Sequence, residues 1–379
     1  MTTVDRVSPV VLVRIWCGCG AALADRLGWA SRCDLRAGRT RLWRDPTRLG
    51  LARPSPPSAT ASAGNTPLLV VDTARTITLT CVDGEGSGVG DPKLHHYVPQ
   101  FYLRRFVDSV ERLWVWDKTS DRVFRTQPKA IAAETNFYLL PELAEHGYDP
   151  VELERQFADL EGQVSAITGQ WLEWIRHGNP GDSLPVPDVN REIVSLFLAL
   201  QSLRTADARS ILVAFSALHG YEVSSDEEIR SLHAEVLWSD DLISRFADRM
   251  SRCAWVFALN ETSARFVTSD NPLAFRTSDN RMWVKPGNLS KDAYVVYPLA
   301  PDVIMYCYPD EGAWHNVNIS RFDCKISPVA LVEEMVQSEN SAQVFMASRF
   351  VISSQNSFSF EREFAKTIGT DRYAPPIEE

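Results

Sequence analysis

Met250-Ser251-Arg252-Cys253-Ala254-Trp255-Val256-Phe257-Ala258-Leu259 is where the chain changes texture. Before it, apolar residues recur at helical spacing; from Trp255 onward they run in short blocks bounded by polar turns, as strands do. On the upstream side Leu153, Phe157, Leu160, Val164, Ile167 and Trp171 are spaced 4, 3, 4, 3 and 4, which makes one core-facing stripe. Asp149 serves as its N-cap, Pro150 as its first helical residue and Glu152 as the partner in a capping-box-like arrangement. A Pro/Gly break over 178–188 precedes a long helix from about Asn190, with Ile193, Phe197 and Leu200 on one side. Ser225 and Glu228 form a second capping box, opening a helix through about Met250.

On the downstream side strands are expected over 255–259, 264–268, 294–299 and 303–308. A helix over 329–347 and a strand over 350–352 follow. Ahead of all these, Leu113-Trp114-Val115-Trp116 and Arg122-Val123-Phe124 flank a polar turn and read as a hairpin. Helices come as a block and strands follow, so the fold class is α+β: a helical block over about 149–250 packed against a mainly antiparallel sheet.

The 379 residues have 45% hydrophobic and 23% charged side chains, ordinary for a globular protein. A net charge of −10 argues against a general DNA or membrane-surface binder. The longest apolar run, 193–203, is too short to span a bilayer and is flanked by charge, so no membrane partner is expected. Seven scattered cysteines with no CxxC pair suggest reduced thiols in the cytoplasm.

Residues 1–88 differ from the rest. They carry eleven Arg, no Lys and seven acids, hence +4, which leaves −14 for 89–379. Their apolar residues have no sustained period, and the segment over 53–67 is rich in Pro, Ser and Ala. Gly84-Glu85-Gly86 is encoded by a purine-rich pattern like a ribosome-binding site, and Val89 follows at a start codon's distance. The expectation is a disordered extension or a misplaced gene start over 1–88, and a single α+β domain over 89–379. The rival, a signal peptide over 10–24 ending in Ala22-Leu23-Ala24, is weakened by Arg14, Asp5 and Asp25.

Chemistry is sought where polar residues depart from a plain core. His95 and His96 precede Pro99 in extended backbone, so they point to opposite sides; either is a core or surface histidine, a metal ligand or a general base. Glu154 and Glu161, seven apart, are nearly eclipsed beside the apolar stripe: a solvated flank, or two ligands or an acid/base pair. Arg204 continues the Ile193, Phe197, Leu200 line and so points inward, to clamp Glu154, Glu161 or Asp270, or to bind an anion. Asp270, in Thr268-Ser269-Asp270-Asn271-Pro272, sits at a forced turn after a strand. It either satisfies the turn's own amides or enters a cleft.

His95-His96-Tyr97-Val98-Pro99-Gln100-Phe101-Tyr102-Leu103-Arg104-Arg105-Phe106 resembles the opening signature of the bacterial family named for domain of unknown function 4238. Asn136-Phe137-Tyr138, the paired glutamates of 154–161, Gln201-Ser202-Leu203-Arg204-Thr205, the block at 268–272 and Tyr297-Pro298-Leu299 continue that resemblance in order, over about 93–355. The resemblance implies a relationship and no activity.

The leading expectation is a metal-assisted hydrolase acting on a phosphodiester or other anionic substrate. His95, His96, Glu154, Glu161 and Asp270 would be its catalytic groups. A divalent metal would sit on His96, Glu154, Glu161 and Asp270, and Arg204, Asn271 and Tyr138 would bind substrate. Nucleic acid enters only as such a substrate, and no ββα unit with the Asn and His of an HNH nuclease is present. The alternative is a non-catalytic binding or regulatory module in which the same residues form a structural network.

Overall fold

The computed structural model describes residues 94–138, 152–218, 222–223, 225–237, 239–285 and 291–368. The extension over 1–88 and the cap at Asp149 and Pro150 lie outside the described residues. Leu94–His96 (β1) is followed by a helical turn, Gln100–Leu103 (α1), which Pro99 opens with its φ of −58°. The hairpin is Leu113–Asp117 (β2) and Arg122–Thr126 (β3), turned at Asp121, whose φ is 52°. Ala133–Thr135 (β4) then pairs antiparallel with β1.

The helical block is Glu152–His177 (α2), Asp188–Leu203 (α3), Ala206–Leu218 (α4), Asp226–Leu237 (α5) and Asp240–Arg252 (α6). Strands follow at Ala254–Leu259 (β5), Thr268–Ser269 (β6), Ala274–Arg276 (β7), Trp283–Val284 (β8), Tyr294–Ala300 (β9) and Val303–Tyr308 (β10). Gly312–Asn316 (α7), Lys325–Ile326 (β11), Glu333–Met346 (α8), Phe350–Ser353 (β12) and Ser359–Ala365 (α9) complete the described α-helices and strands.

The strands form a six-stranded sheet, order β11-β5-β10-β9-β7-β8, a four-stranded sheet, β3-β2-β12-β6, and the β1–β4 ribbon. Every pairing is antiparallel except β11 with β5. Alternation in the large sheet sends Trp255, Phe257, Val295, Tyr297 and Met305 into the core cluster shared with the helical block. Val256, Val296, Ile304 and Tyr306 go to the other face, where Val336, Ala342 and Met346 of α8 cover them. Both faces are dry, which is why these strands read as unbroken apolar blocks. Trp171 of α2 packs edge-on against Trp255 and Phe257, centroids 5.7 and 5.6 Å away. Truncating such a side chain costs about 3–5 kcal/mol. Arg176 forks onto Asp302 at 2.7 and 2.8 Å, and Arg191 onto Asp323 at 2.7 Å while stacked 4.5 Å over Trp255. These pairs fasten α2 and α3 to the sheet. Among the described residues no helix is long and apolar enough to cross a membrane, and the 193–203 run is mostly buried in α3.

Three details differ from the sequence expectation. The helix after Ser225 is two helices, α5 ending at Leu237 and α6 starting at Asp240; the Ser225 hydroxyl does accept the Glu228 amide at 3.1 Å. Over 264–267 the backbone makes no ladder, because Phe266 N–H goes to the Pro301 carbonyl and Val267 N–H to Asn340 Oδ1. The last long helix starts at Glu333 and not at 329, since the Val329 amide is taken by the Ser327 hydroxyl in a local turn.

Candidate functional site

The joint between α3 and α4 decides where the polar side chains go. Gln201, Arg204 and Asp207 fall three apart across it, and all three are buried. Arg204 is the C-cap of α3, only 1% exposed. Its Nη2 donates to Glu161 Oε1 at 2.6 Å and its Nε to Gln201 Oε1 at 3.0 Å; Gln201 in turn donates to the Tyr97 carbonyl at 3.0 Å. The guanidinium lies 5.0 Å over Phe157 and 5.9 Å from Phe197. Burial opposes its charge, and Glu161 more than offsets that. Helix spacing explains the pair: Arg204 extends the inward face of α3 and Glu161 flanks the inward face of α2.

The β1–β4 ribbon delivers the histidines to opposite sides, as the two-residue period requires. His95 is fully buried, its ring stacked on Tyr138 at 5.9 Å and 12°, and its Nδ1 accepts the Tyr138 amide at 2.9 Å. Tyr138 donates its hydroxyl to the Arg204 carbonyl at 2.9 Å, so the ribbon and the α3–α4 joint are one bonded unit. His96 is half-buried, donating from Nε2 to the Lys129 carbonyl at 3.3 Å and facing Gln100 Nε2 across 3.5 Å from Nδ1. Burial lowers its pKa, and the positive charges of Arg204 and Arg104 add to that.

Glu154 differs from Glu161. It makes no hydrogen bond among the described residues. Burial, opposed by Arg204 and reinforced by Glu161, pushes its carboxyl up to about 7. A carboxyl poised near neutrality beside an arginine is the arrangement an acid/base group requires.

Asp270 and Asn271 belong elsewhere. Both Asp270 oxygens accept backbone amides, from Ser348 at 2.8 Å, Arg349 at 2.7 Å and Phe350 at 3.0 Å, which seat the start of β12. Burial raises its pKa against the pull of those three donors. Asn271 donates to Asp207 Oδ2 at 3.3 Å, where Lys285 Nζ binds at 2.5 Å and donates also to the Met346 carbonyl at 3.1 Å.

The structure thus gathers His95, Tyr138, Glu161, Arg204 and the approaching Glu154, with His96 at the edge. It puts Asp270 and Asn271 in a separate hydrogen-bonded set around Asp207 and Lys285. Among the described residues no group of three or more His, Cys, Asp or Glu side chains is placed to hold a metal ion. The candidate set His96, Glu154, Glu161 and Asp270 does not converge, because Glu161 is engaged by Arg204 and Asp270 by three amides. Asp207, Lys285, Arg209 and His233 were not anticipated. Asp207 carried a signal, an acid three residues beyond an inward arginine; Lys285, in a short polar stretch, carried none.

The sequence profile of the family described as Protein of unknown function (DUF4238) matches residues 94–357, more than half of the chain. No curated protein and no solved structure matches. The match begins in β1, includes every residue of both polar sets, and ends four residues beyond β12. This chain belongs to the DUF4238 family.

Proposed function

We propose that this chain is a non-catalytic binding or regulatory module whose central polar residues hold the fold together. The observation that carries this reading is Arg204: 1% exposed, bonded through Nε and Nη2 to protein, and covered by two aromatic rings, it is spent on the interior. A buried arginine freed of its partner costs several kcal/mol, about 3–5, so Glu161 is fully engaged as a counter-ion. The test is an assay of the purified chain on a chromogenic phosphodiester with and without Mg²⁺, Mn²⁺ and Zn²⁺. This reading expects no release above the buffer blank; turnover lost in Glu154→Gln would overturn it.

Glu154 favours a second reading, a hydrolase of an anionic substrate, nucleic acid included, in which that carboxyl donates or accepts the proton. Under that reading activity follows a single ionisation near pH 7. We also propose the cytoplasm as the compartment. Cys253 and Cys307 are buried free thiols, and Cys324 Sγ lies 2.8 Å from Arg191 Nη2.

A further inference from the structure

A cleft of about 560 Å³, whose lining does not include Arg204, opens between β4, α4 and α5. Asn136, at φ 56°, turns the chain out of β4 along its rim. Arg209 and Val213 of α4, four apart, form one wall, and Asp226, Ile229 and Arg230 of α5, at offsets of three and four, form the other. The volume lies in the range of small-molecule sites, about 300–1,000 Å³, and the mixture of a few charges with apolar side chains is the usual lining.

Arg209 is held in advance of any ligand. Its guanidinium carbon lies 3.7 Å from the Phe137 ring centroid; Nη2 donates to the Phe137 carbonyl at 2.6 Å and Nε to His233 Nδ1 at 3.3 Å. His233 is itself fixed as an acceptor at Nδ1, because its Nε2–H donates to the Leu203 carbonyl at 2.8 Å. Burial lowers its pKa to about 3, so it stays neutral. Among the described residues Nη1 is left with only Glu134, 3.8 Å away and half exposed. Such an exposed, long pair contributes about 0–1 kcal/mol and yields readily to a better acceptor. Arg230, exposed on the facing wall, makes no hydrogen bond among the described residues, and its charge repels that of Arg209. Glu134 and Asp226, which also line the cleft, offset that repulsion, and an entering anion would compete with them for the two guanidinium groups.

The geometry points to a binding site for a small organic oxyanion, its phosphate or carboxylate head between Arg209 and Arg230 and its apolar body against Val213 and Ile229. The Arg209 guanidinium, already immobilised, loses little entropy in gripping a planar or tetrahedral oxyanion, and Arg230 lines the same cleft. This site rests on the binding-module reading and names its ligand class.

The experiment is calorimetric titration of the full chain with inorganic phosphate, phenyl phosphate and benzoate, with product release followed in the same cell. One of the two aromatic anions is expected to bind at least tenfold more tightly than inorganic phosphate, and which one identifies the head group. Arg230→Gln, on an exposed side chain, should weaken that binding tenfold or more with no change in melting temperature. Binding unchanged in Arg230→Gln, or heats at the blank level for both aromatic anions, would overturn the site while leaving the module reading intact. Phenol release from phenyl phosphate would overturn the module reading instead.

Discussion

The surroundings of Glu154 disfavour its charge. Its folded pKa of about 7 lies above the ordinary 4.5, so the folded state binds the extra proton between those values. Its contribution to stability is therefore complete below about pH 4.5 and lost as pH rises through 7. Glu154→Gln should be close to neutral at pH 4 and stabilising at pH 8, read as a melting-temperature gain present only at the higher pH. A loss of stability at pH 8 would mean that the carboxylate has a partner it prefers. That Arg204 points inward was legible from its register with Ile193, Phe197 and Leu200. That Glu161 and not Glu154 would capture it was not, because the two glutamates are nearly eclipsed on α2 and only the tertiary distance separates them.

At the scale of elements, the turn at Asp270 shows a polar residue spent on backbone. Three amides at the α8–β12 joint converge on one carboxylate, and hydrogen bonds to charged groups contribute about 1.5–3 kcal/mol each in favourable cases. Asp270→Asn replaces one acceptor oxygen with a donor facing those amides. It should lower stability by about 2–3 kcal/mol in denaturant unfolding. It should also speed hydrogen exchange at Ser348, Arg349 and Phe350 before the rest of β12. The hairpin, the helical block and the antiparallel strands were legible because their apolar periods are long or uninterrupted. The division of α5 from α6 was not, because the apolar period across it is one that a single helix satisfies equally well. The segment over 264–267 misled for a related reason, having strand composition but amides claimed by Pro301 and Asn340.

For the whole molecule, the polar unit ties together parts far apart in sequence: β1 through His95, the segment after β4 through Tyr138, α2 through Glu161, and the α3–α4 joint through Arg204. It lies within the apolar cluster that runs from Tyr97 to Ile352, so its loss should be felt by global unfolding and not by a local site. The family match covers this same region. The most direct test is a double-mutant cycle on Arg204 and Glu161, followed by equilibrium denaturation of the full chain. The account predicts that Arg204→Met or Glu161→Gln alone costs about 3–5 kcal/mol, and that the double variant loses no more than the worse single one. Single variants that unfold within about 0.5 kcal/mol of the parent, with additive effects, would contradict it.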